Sequence, residues 1–270
     1  MSNLRAKISL VILALVWGVC GQVMPLAAGQ MGRGLFFVCV FMSAYLAVSV
    51  VFRKEMRTMT FKAVSRGIIL GVMLFALGLI QIYHPVRAGS LSLFVAVVLL
   101  AETIIHRRFS GGLEVAAAAV SIFGLLLIGP VPDMIGVLMA VIFAMYMMSA
   151  AFFVQTCKAE HLAAVQLAFA TLCAVCITDK DISVHIGPMA WGVALFAGLT
   201  GGAWGVLGLT RSLKDVFLPG AAVILAIQAC LFPLFYGDLV FRTGVGIILV
   251  LMGMSLAMFS SPAKEINPVD

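Results

Sequence analysis

The side chains able to do chemistry here are few and rich in amides. Gln22, Gln166 and Gln228 fall near the middle of long apolar runs, Tyr146 does the same, and Trp17 and Trp204 are large aromatic neighbours. Amides and a phenol give and accept hydrogen bonds, and indoles add stacking surface. The chemistry this set implies is non-covalent recognition of a small polar molecule. A polar group inside an apolar run requires a partner or a water-filled cavity. Each residue also has a structural use: a glutamine can bond a neighbouring helix, and a tryptophan can anchor at an interface.

Titratable groups lie elsewhere. Gln81, Tyr83, His84 and Arg87, candidates for an outer gate or for coupling, cluster around Pro85 where the third apolar run meets the fourth. A solvated turn is the plain reading of that stretch, while Arg87 has the geometry to hold a carboxylate through paired N–H groups. Glu102 is a carboxylate within an apolar run, near its end, with Arg107 and Arg108 a turn or more later, and Asp238 has Arg242 four residues on. Local ion pairs at that spacing are the default; gating or proton carriage is the functional alternative. No H-E-x-x-H, no G-x-S-x-G, no paired aspartates and no P-loop occur. The expectation is therefore a protein that is not an enzyme and uses neither cofactor nor metal, drawing any energy from a gradient or a separate partner.

These residues are set in an apolar chain. Of the 270 residues 63% are hydrophobic and 10% charged, and the mean hydropathy is +1.19. Soluble chains carry about 25% charged residues. Continuous runs at 8–28, 34–52, 64–83, 88–105, 113–129, 134–156, 161–178, 188–211, 216–235 and 240–259 are each of a length to cross a bilayer core of roughly 30 Å as helix. The runs do not alternate, which excludes a barrel and leaves helices to satisfy the backbone. The predicted fold class is all-α integral membrane, with ten transmembrane helices.

Charge orients the spans. With the N-terminus inside, Arg5, Lys7, Arg53, Lys54, Arg57, Lys62, Arg66, Arg107, Arg108, Lys158, Arg211, Lys214 and Lys264 are cytoplasmic, while Arg33, Arg87, Lys180 and Arg242 are outside. A 13 to 4 split satisfies the positive-inside rule with both termini cytoplasmic and an even number of spans. The basic balance is thus a topology signal and no pointer to nucleic acid. The first apolar run is longer than the h-region of a signal peptide and reads as a retained helix. The six cysteines lie in or beside spans; Cys173 and Cys176 form a C-x-x-C that reads as small apolar helix residues.

The segment 129–133, rich in proline, parts five spans from five, so two repeats, 1–130 and 131–270, are expected to sit with opposite orientation. Ala14–Gly18 in the first span has a counterpart in Ala140–Tyr146 of the sixth. Glu102 closes the fourth span as Asp238 closes the ninth, and Gly124 in the fifth answers Gly253 in the tenth. The eighth span carries a stripe of small residues, Gly198, Gly201, Gly202, Gly205 and Gly208, which predicts close helix approach.

The chain resembles the drug/metabolite transporter superfamily in its ten-helix form of two EamA-type repeats. The likeness rests on Ala14, Leu15, Trp17 and Gly18, on Arg33, on Ala76-Leu77, on Glu102 and on Gly237-Asp238. His106-Arg107-Arg108 and Ala159-Glu160-His161 are similar to the threonine/homoserine exporter branch; that branch's mid-helix prolines and glutamates in the fourth and ninth helices are absent. The resemblance implies a permease or exporter in a bacterial plasma (inner) membrane, moving a small polar metabolite such as an amino acid by alternating access. Its implied partners are that substrate, the lipid bilayer and a proton gradient as candidate energy source. A non-transporting scaffold subunit and a membrane enzyme are the other readings. A hydrated centre lined by Trp17, Gln22, Tyr146, Gln166, Trp204 and Gln228 would separate a transporter from a scaffold.

Overall fold

The computed structural model describes residues 3–83, 88–106, 111–129, 131–178, 186–236 and 240–260. These form helices joined by short turns, with no strand among the described residues. In chain order they are α1 (Asn3–Met31), α2 (Arg33–Val51), the one-turn α3 (Arg53–Met56), α4 (Phe61–Tyr83), α5 (Ala88–His106), α6 (Gly112–Ile128), α7 (Met134–Val154) and α8 (Ala159–Cys176). There follow α9 (Pro188–Phe196), a π-helical turn at Ala197–Trp204 and α10 (Gly205–Ser212). Next come α11 (Leu218–Leu225), a 3-10 segment at Ala226–Cys230, α12 (Leu231–Tyr236) and α13 (Phe241–Phe259). Among the described residues seven helical stretches are long and apolar enough to cross a membrane, and Ala88–Ile104, Gly112–Ile128 and Leu218–Pro233 are shorter apolar helices. The chain is an all-α, multi-pass membrane protein.

Local chemistry sets the boundaries. Gly32, between α1 and α2, has φ 79°, a left-handed conformation that costs a glycine little. The Asp133 carboxylate accepts from the Gly136 N–H at 2.8 Å and caps α7. Glu114 reaches back to the Gly111 N–H at 3.2 Å at the start of α6. Pro188 and Pro219 open α9 and α11, where a missing N–H costs no helix bond.

Two runs expected to be continuous helices are interrupted. The run from 188 changes to a π turn within its glycine-rich stretch, and the run from 216 tightens to 3-10 at 226–230. Pro233 accounts for the second: it has no N–H for the Ala229 carbonyl, and its ring crowds that carbonyl. In the first, the Trp17 indole Nε1 donates to the Gly201 carbonyl at 2.9 Å, supplying an outside donor within the altered turn.

Glycines bring the helices together. A Cβ at Gly124 would lie 2.7 Å from the Gly246 carbonyl oxygen, and one at Gly246 would lie 2.7 Å from that of Gly124, so α6 and α13 touch backbone to backbone. A Cβ at Gly71 would meet the Gln166 carbonyl oxygen at 2.8 Å, which locks α4 to α8. The predicted small-residue stripe divides between two neighbours. Gly198 and Gly202 face Val40, Ser43 and Ala44 of α2, Gly201 and Gly205 face Trp17 of α1, and Gly208 has only the Ser9 hydroxyl nearby.

Candidate binding cavity

The polar residues of α1 sit among small ones. Gly18 and Gly21 flank the face that carries Trp17, and their missing side chains admit two glutamine-bearing segments. A Cβ at Gly18 would lie 3.2 Å from the Gln228 carbonyl oxygen, and one at Gly21 would lie 2.7 Å from Gln81 Nε2. Thus α1 seats the 3-10 segment on one side and the end of α4 on the other. Between them lies a cavity of about 120 Å³. A single water needs about 10–15 Å³ measured in this way, so the space takes several waters or one small molecule.

The cavity has an aromatic and sulfur-rich wall: Trp17, Phe37, Phe41, Phe143 and Tyr146, with Cys20, Met24 and Met139. Its remaining wall comes from α4, α5 and both interrupted helices, including Ala197, Gly201, Gly202, Val206 and Gln228. The rings are held by one another. Phe37 stacks on Phe41 with centroids 5.5 Å apart, Phe143 stacks on Phe94 at 4.3 Å, and Trp17 meets Phe143 at 6.2 Å. Gln81 and Gln228 are the amides on the wall. Gln228 is 8% exposed, and neither side chain has a hydrogen-bond partner among the described residues. No Asp, Glu, Lys, Arg or His lines the cavity among the described residues.

The sequence-predicted residues divide. Trp17, Tyr146 and Gln228 line the cavity together, and Gln81, expected at an outer gate, joins them. Gln166 is fully buried behind the wall, where its Oε1 accepts from the Tyr146 hydroxyl at 3.1 Å; its Nε2 has no partner among the described residues. Gln22, on α1, is buried, its Oε1 has no partner among the described residues, and it does not line the space. Trp204 departs from expectation: it is 42% exposed and does not line the cavity, whereas Gly201 and Gly202 of the same π turn do. Tyr83 is exposed too, with the Arg33 guanidinium 3.8 Å above its ring. His84, Arg87 and Asp238 lie outside the described residues, as do Arg107 and Arg108. Glu102 is buried, away from the cavity wall. The expected partner of Asp238, Arg242, donates to the Leu126 carbonyl at 3.0 Å.

Sequence reading missed Phe37, Phe41, Met139 and Phe143, all ordinary apolar residues by type. Phe143 had a usable signal, because the correspondence of Ala14–Gly18 with the stretch from Ala140 sets Phe143 opposite Trp17. Lys7 was also missed as a structural residue. It is 4% exposed and its ammonium donates to the carbonyls of Ala257, Met258 and Ser260 at 2.9, 3.0 and 2.6 Å. Nearby, Arg211 grips Glu160 Oε1 through Nε at 3.1 Å and Nη2 at 2.6 Å, and His161 Nε2 lies 2.8 Å from the Glu55 carbonyl oxygen.

No family model and no curated protein matches the sequence. A solved structure described only as a crystal structure of a protein is similar to this chain, with a TM-score of 0.71 at 15% sequence identity, covering 94% of this chain and 96% of that one. At that identity the likeness is one of fold, and it extends over nearly the whole helical assembly.

Proposed function

We propose that this protein is a secondary transporter of a small metabolite, a permease or exporter of the EamA type, working by alternating access across a bacterial plasma membrane. The observation that carries the reading is the meeting of both interrupted helices at one cavity. Gly201 and Gly202 reach it from the π turn, and Gln228 reaches it from the 3-10 segment. Broken helices at a central cavity are a recurring way for transporters to build a site, and π and mid-helix 3-10 turns concentrate at functional positions and hinges.

In this reading all ten apolar runs cross the membrane as two inverted repeats of five. Support comes from reciprocal packing. The third span (α4) packs on the seventh (α8) as the eighth packs on the second (α2), and the sixth (α7) packs on the fourth (α5) as the first (α1) packs on the ninth. The second packs on the seventh and the fifth (α6) on the tenth (α13), pairs that an in-plane two-fold axis maps onto themselves. Trp17 and Phe143, equivalent by the sequence correspondence, touch across that axis.

With both termini inside, the cavity occupies the outer half, since it is lined by the C-terminal half of α4 and the N-terminal part of α2. On the same topology Lys7 and the Arg211–Glu160 pair lie at the inner end, which supports reading this conformation as an outward-facing state closed toward the cytoplasm.

The test is flux in proteoliposomes across a panel of metabolites that includes amino acids, with and without a pH gradient. Flux of one class, saturable and lost in Gln228→Leu, is expected. Folded protein that moves no member of a broad panel would overturn the reading.

A further inference from the structure

We propose that the cavity is built for an uncharged ligand with a flat apolar body and one group that both donates and accepts hydrogen bonds, such as a carboxamide. This rests on the transporter reading for its biological meaning, and on the cavity alone for its chemistry.

Two independent observations carry it. The first is electrostatic. Among the described residues the wall holds no ionisable group besides Cys20 and Tyr146, and the Tyr146 hydroxyl donates away from the cavity to Gln166. An ion entering such a space loses its hydration and meets no opposite charge among the described residues, which is strongly unfavourable. A zwitterion meets that penalty at both ends. A cation could use the ring faces left open by the Phe37–Phe41 and Phe143–Phe94 stacks, but that contact returns less than the hydration it loses. The rings remain suited to a flat, neutral body.

The second is an unfilled hydrogen-bonding need. Gln228 is buried and on the cavity wall, Gln81 is on the same wall, and neither amide is bonded by the described protein. Buried polar groups find partners in water or ligand when the protein supplies none. A primary amide offers two donors and an acceptor. A carboxamide or similar group matches that pattern, whereas a carboxylate offers acceptors only and an ammonium donors only. The small-metabolite expectation is thereby narrowed, and free amino acids become poor ligands for this cavity.

One ring in four charge states tests this: benzamide, benzoate, benzylammonium and phenylalanine, with binding to the purified full chain measured by calorimetry and by tryptophan fluorescence. Benzamide should bind about tenfold or more tightly than the other three, the scale expected when a charge is desolvated without a partner. Gln228→Leu, which removes one wall amide and adds no charge, should weaken benzamide several-fold while the charged members remain poor ligands. Gln228→Glu, which introduces a carboxylate with little change in shape, should move the preference to benzylammonium. Equal or tighter binding of any charged member by the unaltered protein would overturn the proposal, as would no binding of benzamide. Preferential benzamide binding with no flux in proteoliposomes would uphold the cavity chemistry while overturning the transporter reading, so the two failures are distinguishable.

Discussion

The indole of Trp17 donates to the carbonyl of Gly201 at 2.9 Å, tying the first helix of the chain to the π turn that interrupts the run from residue 188. The bond joins a cavity-lining ring to a cavity-lining backbone, so the shape of the site and the irregular turn depend on each other.

Trp17→Phe keeps an aromatic ring on the wall and removes the donor. Losing one such bond costs about 0.5–1.5 kcal/mol, a change the folded chain should survive. Flux should fall several-fold while the yield of folded protein stays near that of the parent. A variant with unchanged flux would show that the Trp17–Gly201 bond serves stability alone.

Gly21 offers a finer probe, because an added methyl there meets the flexible end of Gln81 at 2.7 Å instead of backbone. Gly21→Ala should displace the amide within the cavity at little cost in stability. Gly18→Ala differs: its Cβ would meet Leu231 Cδ1 at 2.5 Å and the Gln228 backbone at 3.2–3.3 Å, and overpacking of that kind costs typically about 1–3 kcal/mol. Ligand binding and the thermal midpoint, measured for both, should separate: binding moves in the first and both move in the second. Equal losses of stability would contradict the assignment of Gln81 to an adaptable position.

Hydropathy made much of the fold legible, because the bilayer leaves long apolar runs few options besides helix. The boundaries of α2, α5 and α13 lie within a residue or two of the runs read at 34–52, 88–105 and 240–259. The site was only partly legible. Gln228 and Trp17 drew attention by type, but the neighbouring Phe37 and Phe143 look like any core residue until folding brings them together. Trp204 misled because the run 188–211 reads as a regular helix, whereas Trp204 closes a π turn whose residues are spaced at a different angle around the axis. Pro233 held a readable signal for the other interruption: the loss of the bond to Ala229 follows from the proline alone.

Lys7 illustrates a residue whose charge had two meanings. Its sign served the topology count, yet its ammonium is buried on the final turn of α13, bonding carbonyls that a helix end leaves without intrahelical donors. Lys7→Met should fill the space and leave the Met258 and Ser260 carbonyls without the ammonium, while Ala257 keeps the Ser260 hydroxyl, lowering stability by about 1–3 kcal/mol. Thermal unfolding in detergent measures it, and an unchanged midpoint would mean that water replaces the ammonium without loss.

The Arg211–Glu160 pair tests the outward-facing assignment. Its side chains are 41% and 18% exposed, and Arg211 also lies over the Phe52 ring at 4.9 Å, so the pair links α10 and α8 to the end of α2. Pairs this exposed contribute about 0–1 kcal/mol, so Glu160→Gln should hardly move the thermal midpoint. Its effect should be on the balance between conformations. A cysteine placed at Met24, a less buried residue of the cavity wall than Cys20, reports that balance when it is the sole cysteine. In the parent it should react with an impermeant thiol reagent from the outside of oriented vesicles; in Glu160→Gln its reaction from the cytoplasmic side should rise several-fold. Reaction from the cytoplasmic side in the parent would reverse the orientation assigned to the cavity. An unaltered pattern in Glu160→Gln would remove the pair from the inner closure and leave that task to the packing around Lys7.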